Sequence, residues 1–278
     1  MIIGSGPIII GQACEFDYSG TQACKALRKL GYQVVLVNSN PATIMTDPGM
    51  ADATYIEPLT AETLTKIIEK ERPDALLPNL GGQTGLNLAA ELSKKGVLQK
   101  YSVKVIGISL DAIERGEDRI LFKNTMSKLG IEMPRSAPAY TVEEAEAIAK
   151  DLGYPVVIRP AYTMGGTGGG HVYNVDELRA VAARGIAASM VKQILVEESV
   201  WGWEELELEI VRDAKGQKIT VCFIENVDPM GVHTGDSFCT APMLTIDRKI
   251  QEKLQKYSYD IVDAIGIIGG ANVQLAHD

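Results

Sequence analysis

The chain has 278 residues, 46% of them hydrophobic, and a net charge of -9 from 36 acidic and 27 basic residues. This length suits one large or two medium domains, and the acidic balance argues against nucleic acid as a partner, because phosphate backbones require clustered Lys and Arg. No apolar run approaches the roughly 18 residues of a membrane span, and the four cysteines form no CxxC pair, so we expect a cytoplasmic protein with no membrane contact.

Up to residue 118, short apolar runs alternate with helical patterns. The pattern predicts strands at 2–3, 34–37, 75–77 and 103–106 and helices over about 19–30, 60–71 and 84–95. This alternation is typical of βαβ units with a parallel sheet, and therefore of an α/β domain. Ligands of such sheets lie beyond the carboxyl ends of the strands, where the turns 4–11, 38–40 and 81–83 fall.

From Arg119 the pattern becomes mixed α+β. We predict helices over 122–129, 141–152, 175–188 and 246–264, strands at 155–158, 194–200, 204–211, 219–224 and 271–275, and a Pro-marked connection over 131–139. Thr141 and Glu144 have the spacing of a capping box. Acidic and aliphatic residues alternate along 204–211, which predicts a half-buried strand with a solvated acidic face.

The first candidate for chemistry is the turn from Gly4 to Gly11. It could cradle a pyrophosphate, or it could be a tight turn that returns the chain. The dinucleotide fingerprint fails, because its third glycine would fall at Ile9 and the strand 34–37 is followed by Asn38 rather than by an acidic residue. The sequence therefore does not indicate an NAD enzyme.

The second candidate is the glycine-dense run that follows Arg159. Residues 165–170 include five glycines, a composition that favours close approach of backbone N–H groups to phosphate oxygens. Arg159, on the strand just before, could add a bidentate phosphate contact. The alternative is a flexible surface hairpin.

Two further segments are weaker signals. Backbone beside Glu198 and Val200 could read an adenine edge, and Glu205 could accept hydrogen bonds from ribose hydroxyls; the alternative is a solvated acidic face. In the segment 231–237, His233 could donate to a phosphate or an oxyanion. The alternative there is an incidental loop histidine.

Together these motifs resemble the ATP-grasp superfamily and, within it, the large subunits of carbamoyl phosphate synthetases, in their first, carboxyphosphate-forming half. The resemblance is carried, in family order, by GQACEFDYSG at 11–20 and by the segments 38–43, 81–84, 117–119, 159–170 and 231–237. It implies a pre-ATP-grasp α/β domain over 1–118, like the N-terminal domain of biotin carboxylase. An α+β ATP-grasp domain over 119–278 would follow, with a glycine-loop lid at about 130–200.

The resemblance also implies roles for single residues. Phosphate contacts are implied for Arg119 and Arg159, with Gly165 and Gly166 as loop donors. Adenine contacts are implied for Glu198 and Val200, and a ribose contact for Glu205. The remaining implied positions are Gly231, Val232 and His233 along the nucleotide, and Gln274 as an ATP contact and ligand of Mg²⁺ or Mn²⁺. Of these, Arg119, Arg159 and His233 are the implied catalytic residues.

The implied activity is that of an ATP-dependent ligase. ATP would phosphorylate bicarbonate to carboxyphosphate, and ammonia would then give carbamate and carbamoyl phosphate for arginine and pyrimidine synthesis. The implied partner is a glutamine amidotransferase small subunit. The chain ends before the Glu-x-Asn strand of the family, so we expect a C-terminally incomplete fragment, inactive alone. The alternatives are another ATP-grasp carboxylate ligase and a non-catalytic nucleotide-binding module.

Overall fold

The computed structural model describes residues 1–7, 15–161, 168–189, 191–232 and 237–278. The chain divides into two compact units, residues 1–113 and 114–278. In the part that the structure describes, no helix is both long and apolar enough to cross a membrane.

The first unit is built around parallel strands. Its strands are β1 (Ile2–Ile3), β2 (Val35–Asn38), β3 (Ala53–Ile56), β4 (Ala75–Leu76) and β5 (Lys104–Val105), and its helices are α1 (Glu15–Lys29), α2 (Ala61–Glu71), α3 (Gly82–Lys94), α4 (Val97–Lys100) and the start of α5 (Leu110–Glu117). Short 3-10 helices cover Ile44–Thr46 and Asn79–Gly81. The parallel pairs are β1 with β2, β2 with β3 and β4 with β5, and a parallel bridge from Ile2 to Leu77 joins the two groups. The predicted parallel α/β architecture is confirmed.

Local signals explain the helix ends in this unit. The Thr60 side chain accepts the N–H of Thr63 and so caps α2, and the helix ends where Arg72 adopts the left-handed conformation before Pro73. The prediction missed β3, because four residues that are alternately half-buried and exposed leave no apolar run to read.

Asn38 fastens the first two turns at the carboxyl end of this sheet. Its buried side chain accepts the N–H groups of Gly6 at 3.1 Å and Asn40 at 3.2 Å. A Cβ on Gly4 would lie 2.5 Å from the Asn38 amide nitrogen, so only glycine permits this approach. These contacts favour the tight-turn interpretation for residues 4–7; residues 8–14 lie outside the described part of the chain.

The second unit contains two antiparallel sheets. The first has the order β6-β9-β7-β8 and the second the order β12-β11-β10-β13. The strands are β6 (Ser136–Ala139), β7 (Val156–Pro160), β8 (Gly170–Val172), β9 (Ile194–Glu198), β10 (Glu204–Arg212), β11 (Lys218–Asn226), β12 (Cys239–Thr240) and β13 (Gly269–His277), and the helices are α6 (Arg119–Leu129), α7 (Val142–Leu152), α8 (Val175–Ala188) and α9 (Arg248–Ile265).

The predicted helices of this unit are confirmed, with α8 matching at both ends. The Thr141 hydroxyl caps α7 by accepting the N–H of Glu144, as the capping-box spacing predicts. The predicted connection over 131–139 is wrong at its end, because residues 136–139 form β6. Pro138 is tolerated there since β6 is the edge strand of its sheet and pairs only with β9.

We predict that Asn38→Ala lowers the free energy of unfolding by about 1–3 kcal/mol, because the buried N–H of Gly6 and the partly buried N–H of Asn40 lose their acceptor. Urea unfolding measures the loss, and amide exchange at Gly6 and Asn40 locates it. The matched control is Asn40→Ala, which removes an acceptor from the exposed N–H of Ala42 and should cost less than about 1 kcal/mol. Equal losses in both variants would contradict the role of Asn38.

Candidate functional site

One face of the β6-β9-β7-β8 sheet packs on helices, and the other carries polar side chains. The helix-covered face contributes Val156, Ile158, Val172 and Val196 to a core shared with residues of α7 and α8. Val157 pairs with His171 on one side and with Glu197 on the other, so these three residues share the opposite face. Side chains alternate along a strand, which places Arg159 on that face as well.

Arg159 and Glu197 form an ion pair on this polar face. The distance from Arg159 Nη1 to Glu197 Oε1 is 3.2 Å. The Arg159 side chain is 49% exposed, whereas that of Glu197 is 9% exposed. A guanidinium has five N–H donors in a planar fork, so this geometry leaves part of the Arg159 group facing solvent while a buried carboxylate holds its position.

The Glu198 side chain is committed to Arg135 rather than to an open pocket. Its carboxylate accepts the backbone N–H and the Nε–H of Arg135, both at 2.6 Å. The Glu198 backbone N–H in turn donates to the Arg135 carbonyl at 2.9 Å. The hydrogen bond from the Arg135 backbone, together with the bond and charge of its side chain, lowers the pKa of Glu198. An adenine contact in this segment therefore cannot use the Glu198 N–H.

The turn over residues 199–203 links β9 to β10 and lies against residues 230–232. The Val200 carbonyl accepts the N–H of Trp203 at 3.2 Å, and Met230 donates to the Trp203 carbonyl at 2.8 Å. Gly231 has a φ of 108°, and a Cβ built on it would lie 2.1 Å from a Trp201 ring carbon. Gly231 and Val232 thus neighbour the turn that carries Val200.

The acidic face of β10 is buried, which corrects the predicted solvated face. Glu205 and Glu207 are each 4% exposed, close to the 0% of Leu206 and Leu208 on the other face. Glu207 accepts Asn226 Nδ2 at 2.6 Å and Asn272 Nδ2 at 2.8 Å, so amide groups of both flanking strands solvate its carboxylate. Hydrogen bonds of this kind offset the cost of burying a charge.

The sequence reasoning missed Glu207, Asn226 and Asn272. The available signal was periodic: Glu205, Glu207 and Glu209 alternate along β10, as Asn272 and Gln274 do along β13. In the observed register Glu207 pairs with Gln274 and Glu209 with Asn272. Because directly paired residues share a face, Gln274 lies on the same polar face as Glu205 and Glu207.

The residues on this face do not form a metal site by themselves. Across the described ranges, no group of three or more His, Cys, Asp or Glu side chains is placed to hold a metal ion. Both Glu207 oxygens already accept amide hydrogens, and the Gln274 side chain is a neutral amide. Mg²⁺ usually combines few protein oxygens with waters and substrate phosphates, so one amide ligand fits a metal that arrives with a nucleotide.

A cavity of about 360 Å³ lies beside the polar ends of β10 and β11. Its lining includes Trp203, Glu204, Glu225 and Thr245. The Glu225 carboxylate accepts the Thr245 hydroxyl and the N–H groups of Thr245 and Leu244, and these hydrogen bonds lower its pKa. These bonds give the Glu225 carboxylate a structural role in holding residues 244–245.

The remaining implied site residues lie in different places. Arg119 is the first residue of α6, directly after Asp118, whose carboxylate accepts the N–H groups of Ile120 and Leu121 at 2.9 Å. Gly165, Gly166 and His233 lie outside the described residues. The structure therefore places Arg159, Glu197 and Glu198 on one sheet and Glu205 and Gln274 on the other.

Two family models match consecutive parts of the chain. The carbamoyl phosphate synthase preATP-grasp domain matches residues 1–115, and the carbamoyl-phosphate synthase L chain, ATP binding domain matches residues 118–278.

Curated relatives match over nearly the whole chain. The carbamoyl phosphate synthase large chain of Archaeoglobus fulgidus is 60% identical over 99% of this chain, which spans 26% of that protein. The large chain N-terminal section of Methanopyrus kandleri is 57% identical over 99% of this chain, which spans 49% of it. The chain thus covers between a quarter and a half of the length of these relatives.

The fold also resembles that of a solved carboxylase domain. The biotin carboxylase domain of Hydrogenobacter thermophilus 2-oxoglutarate carboxylase, solved with MgADP, ADP and bicarbonate, aligns with a TM-score of 0.74 at 21% identity. The alignment covers 100% of this chain and 60% of that one. At this identity the likeness establishes the fold.

We predict that Arg159→Ala lowers the free energy of unfolding by about 1–2 kcal/mol, because the buried Glu197 carboxylate loses its cationic partner. Glu197→Gln should lower the free energy of unfolding by less than Arg159→Ala does. The loss in the double variant should be smaller than the sum of the two single losses, with a coupling energy of roughly 1 kcal/mol. Urea unfolding of the four proteins measures the cycle. Strict additivity would contradict an energetically significant ion pair.

The lowered pKa of Glu198 predicts a pH dependence. Its folded pKa lies below the ordinary value of 4.5, so its contact with Arg135 stabilises the fold above that value, and this stability is lost as pH falls through the folded pKa. We expect Glu198→Gln to flatten the stability profile below about pH 5. Glu143→Gln, which changes an exposed carboxyl in the first turn of α7, is the control. Superimposable profiles for wild type and Glu198→Gln in chemical denaturation would contradict the assignment.

Proposed function

Because the chain belongs to the carbamoyl phosphate synthase large-chain family, we propose that it binds ATP and phosphorylates bicarbonate to carboxyphosphate. The observation that carries this proposal is the unbroken family match across both units, at up to 60% identity over 99% of the chain. In the whole protein, ammonia would then attack carboxyphosphate, and carbamoyl phosphate for arginine and pyrimidine synthesis would follow. A glutamine amidotransferase subunit is the partner proposed to supply the ammonia.

The chemistry explains why ATP is needed. Bicarbonate carries a poor leaving group, and transfer of the γ-phosphoryl group converts it into a mixed anhydride that ammonia can attack. Phosphoryl transfer depends mainly on positioning and on neutralising negative charge. The Arg159 side chain is half-exposed and paired with Glu197, which suits it to a phosphate contact, and we assign Arg119 the same role.

We assign the base and ribose to the segment around the 199–203 turn and to β10. Val200 and Gly231 lie on neighbouring turns, which supports a shared contact with the nucleotide. Glu205 is assigned to the ribose, and Gln274, on the same sheet face, to a Mg²⁺ ion that would neutralise phosphate charge when bound. Gly165, Gly166 and His233 keep their implied roles as parts of this proposal.

Domain limits at 118/119, a lid at about 130–200 and a cytoplasmic location stay predictions. The same holds for inactivity of this chain alone. A nucleotide-binding module without catalysis and another carboxylate ligase are alternative outcomes of the experiment below.

We predict that the chain binds MgATP and that Arg159→Ala weakens this binding at least tenfold, because a charged hydrogen bond to phosphate is worth roughly 1.5–3 kcal/mol. Val200→Ala is the matched control. It removes two methyl groups beside the base and leaves the backbone in place, so it should weaken binding less. Isothermal titration calorimetry with MgATP measures both, and a larger loss for Val200→Ala would contradict the assignment.

Bicarbonate-stimulated ATP hydrolysis tests the reaction itself. The assay compares this chain with the intact large subunit that contains it. Stimulation in the intact subunit and little turnover in the chain alone is the expected result. Binding of MgATP without bicarbonate stimulation in either protein would favour the non-catalytic module, and stimulation by a different carboxylate would favour another ligase.

A further inference from the structure

Trp201, in the 199–203 turn, makes a ring contact with strand β8. Its indole lies edge-to-face with the His171 imidazole, with ring centroids 4.8 Å apart and an interplanar angle of 80°. His171 is the middle residue of β8, an edge strand that pairs only with β7. A three-residue edge strand has few ladder hydrogen bonds, so this ring contact adds a second attachment for β8.

Trp201 also lies against Gly231. A Cβ on Gly231 would meet the Trp201 ring at 2.1 and 2.3 Å, so the indole covers the backbone at a position where any other residue would displace it. Backbone hydrogen bonds reinforce the contact, since Gly202 donates to the Met230 carbonyl at 3.3 Å. The indole is 52% exposed, so its attachments to His171 and Gly231 are contacts at the surface of the unit rather than core packing.

The surroundings of the His171 imidazole are compatible with its edge-to-face contact with Trp201. Burial lowers the pKa of His171, which favours the neutral imidazole. Its Nδ1 is buried without a hydrogen-bond partner among the described residues. An aromatic edge-to-face contact is therefore the interaction that the structure assigns to this ring.

We propose that Trp201 and His171 are positioning residues for the nucleotide. The ring pair holds the 199–203 turn between β8 and residues 230–232, and so fixes the Val200 and Gly231 backbones before ATP binds. This inference rests on the proposed ATP binding. A turn that is ordered in advance does not have to be ordered on binding, so the pair raises nucleotide affinity without entering the chemical step.

The test uses the whole chain and two readouts. We expect Trp201→Ala to raise the Kd for MgATP roughly five- to tenfold, the cost of ordering one or two side chains, and to speed amide exchange in residues 170–172 and 230–232. His171→Ala should act in the same direction, and the double variant should be no worse than Trp201→Ala alone, because Trp201→Ala already removes the ring contact that His171→Ala breaks. His171→Phe keeps an aromatic ring at this position, so its MgATP affinity and its amide exchange should be close to those of the wild-type chain rather than those of His171→Ala. In the intact subunit, KM for ATP should rise while kcat stays within about twofold.

Tyr173→Ala is the matched control. It removes an aromatic ring that is 59% exposed, two residues from His171, and should change neither readout. An unchanged MgATP affinity in Trp201→Ala, or additive losses in the double variant, would overturn the positioning role alone. No MgATP binding by the wild-type chain would overturn the proposed function and the nucleotide role together, which separates the two failures.

Discussion

Strand register is the constraint on which the polar side chains of residues 114–278 depend. Side chains alternate between the faces of a strand, so one residue of slip would turn every polar group toward the opposite face. In the β6-β9-β7-β8 sheet, the row Glu197, Val157 and His171 lies on the polar face, because the rows on either side of it bury Val156, Ile158 and Val196 against α7 and α8. Hydrophobic burial on one face thus sets the position of Arg159 on the other.

The same constraint acts on β10, but here both faces are buried. Leu206 and Leu208 are covered on one side, so Glu205 and Glu207 must occupy the other. A buried carboxylate requires donors, and the register brings Asn226 and Asn272 to Glu207 from the two flanking strands. This hydrogen bonding links β11, β10 and β13 through side chains as well as backbone, which favours a single pairing register for the sheet.

Sequence patterns correctly predicted the features that depend on residues close together in the chain, such as helix caps and helix ends. Thr60 and Thr141 cap their helices through hydroxyl contacts with the third residue on, and α8 spans the predicted residues. The missed strands β3, β6, β8 and β12 are two to four residues long, and β6 contains Pro138, so local pattern alone points away from a strand. Burial of Glu207 was also missed, because its donors come from residues 19 and 65 positions away.

The ion pair between Arg159 and Glu197 explains how a guanidinium can be held in position and still keep N–H donors available for a ligand. A carboxylate that consumed the whole guanidinium would have to be displaced by phosphate, and breaking that ion pair would offset part of the binding free energy. Arg159 presents one nitrogen to Glu197 at 3.2 Å and keeps half of its side chain exposed. With five N–H donors, Arg159 has the geometry for the proposed phosphate contact to form beside Glu197 rather than in its place. The buried partner restricts the rotamers of Arg159, so in the proposed phosphate contact the entropy cost of ordering this side chain would be lower.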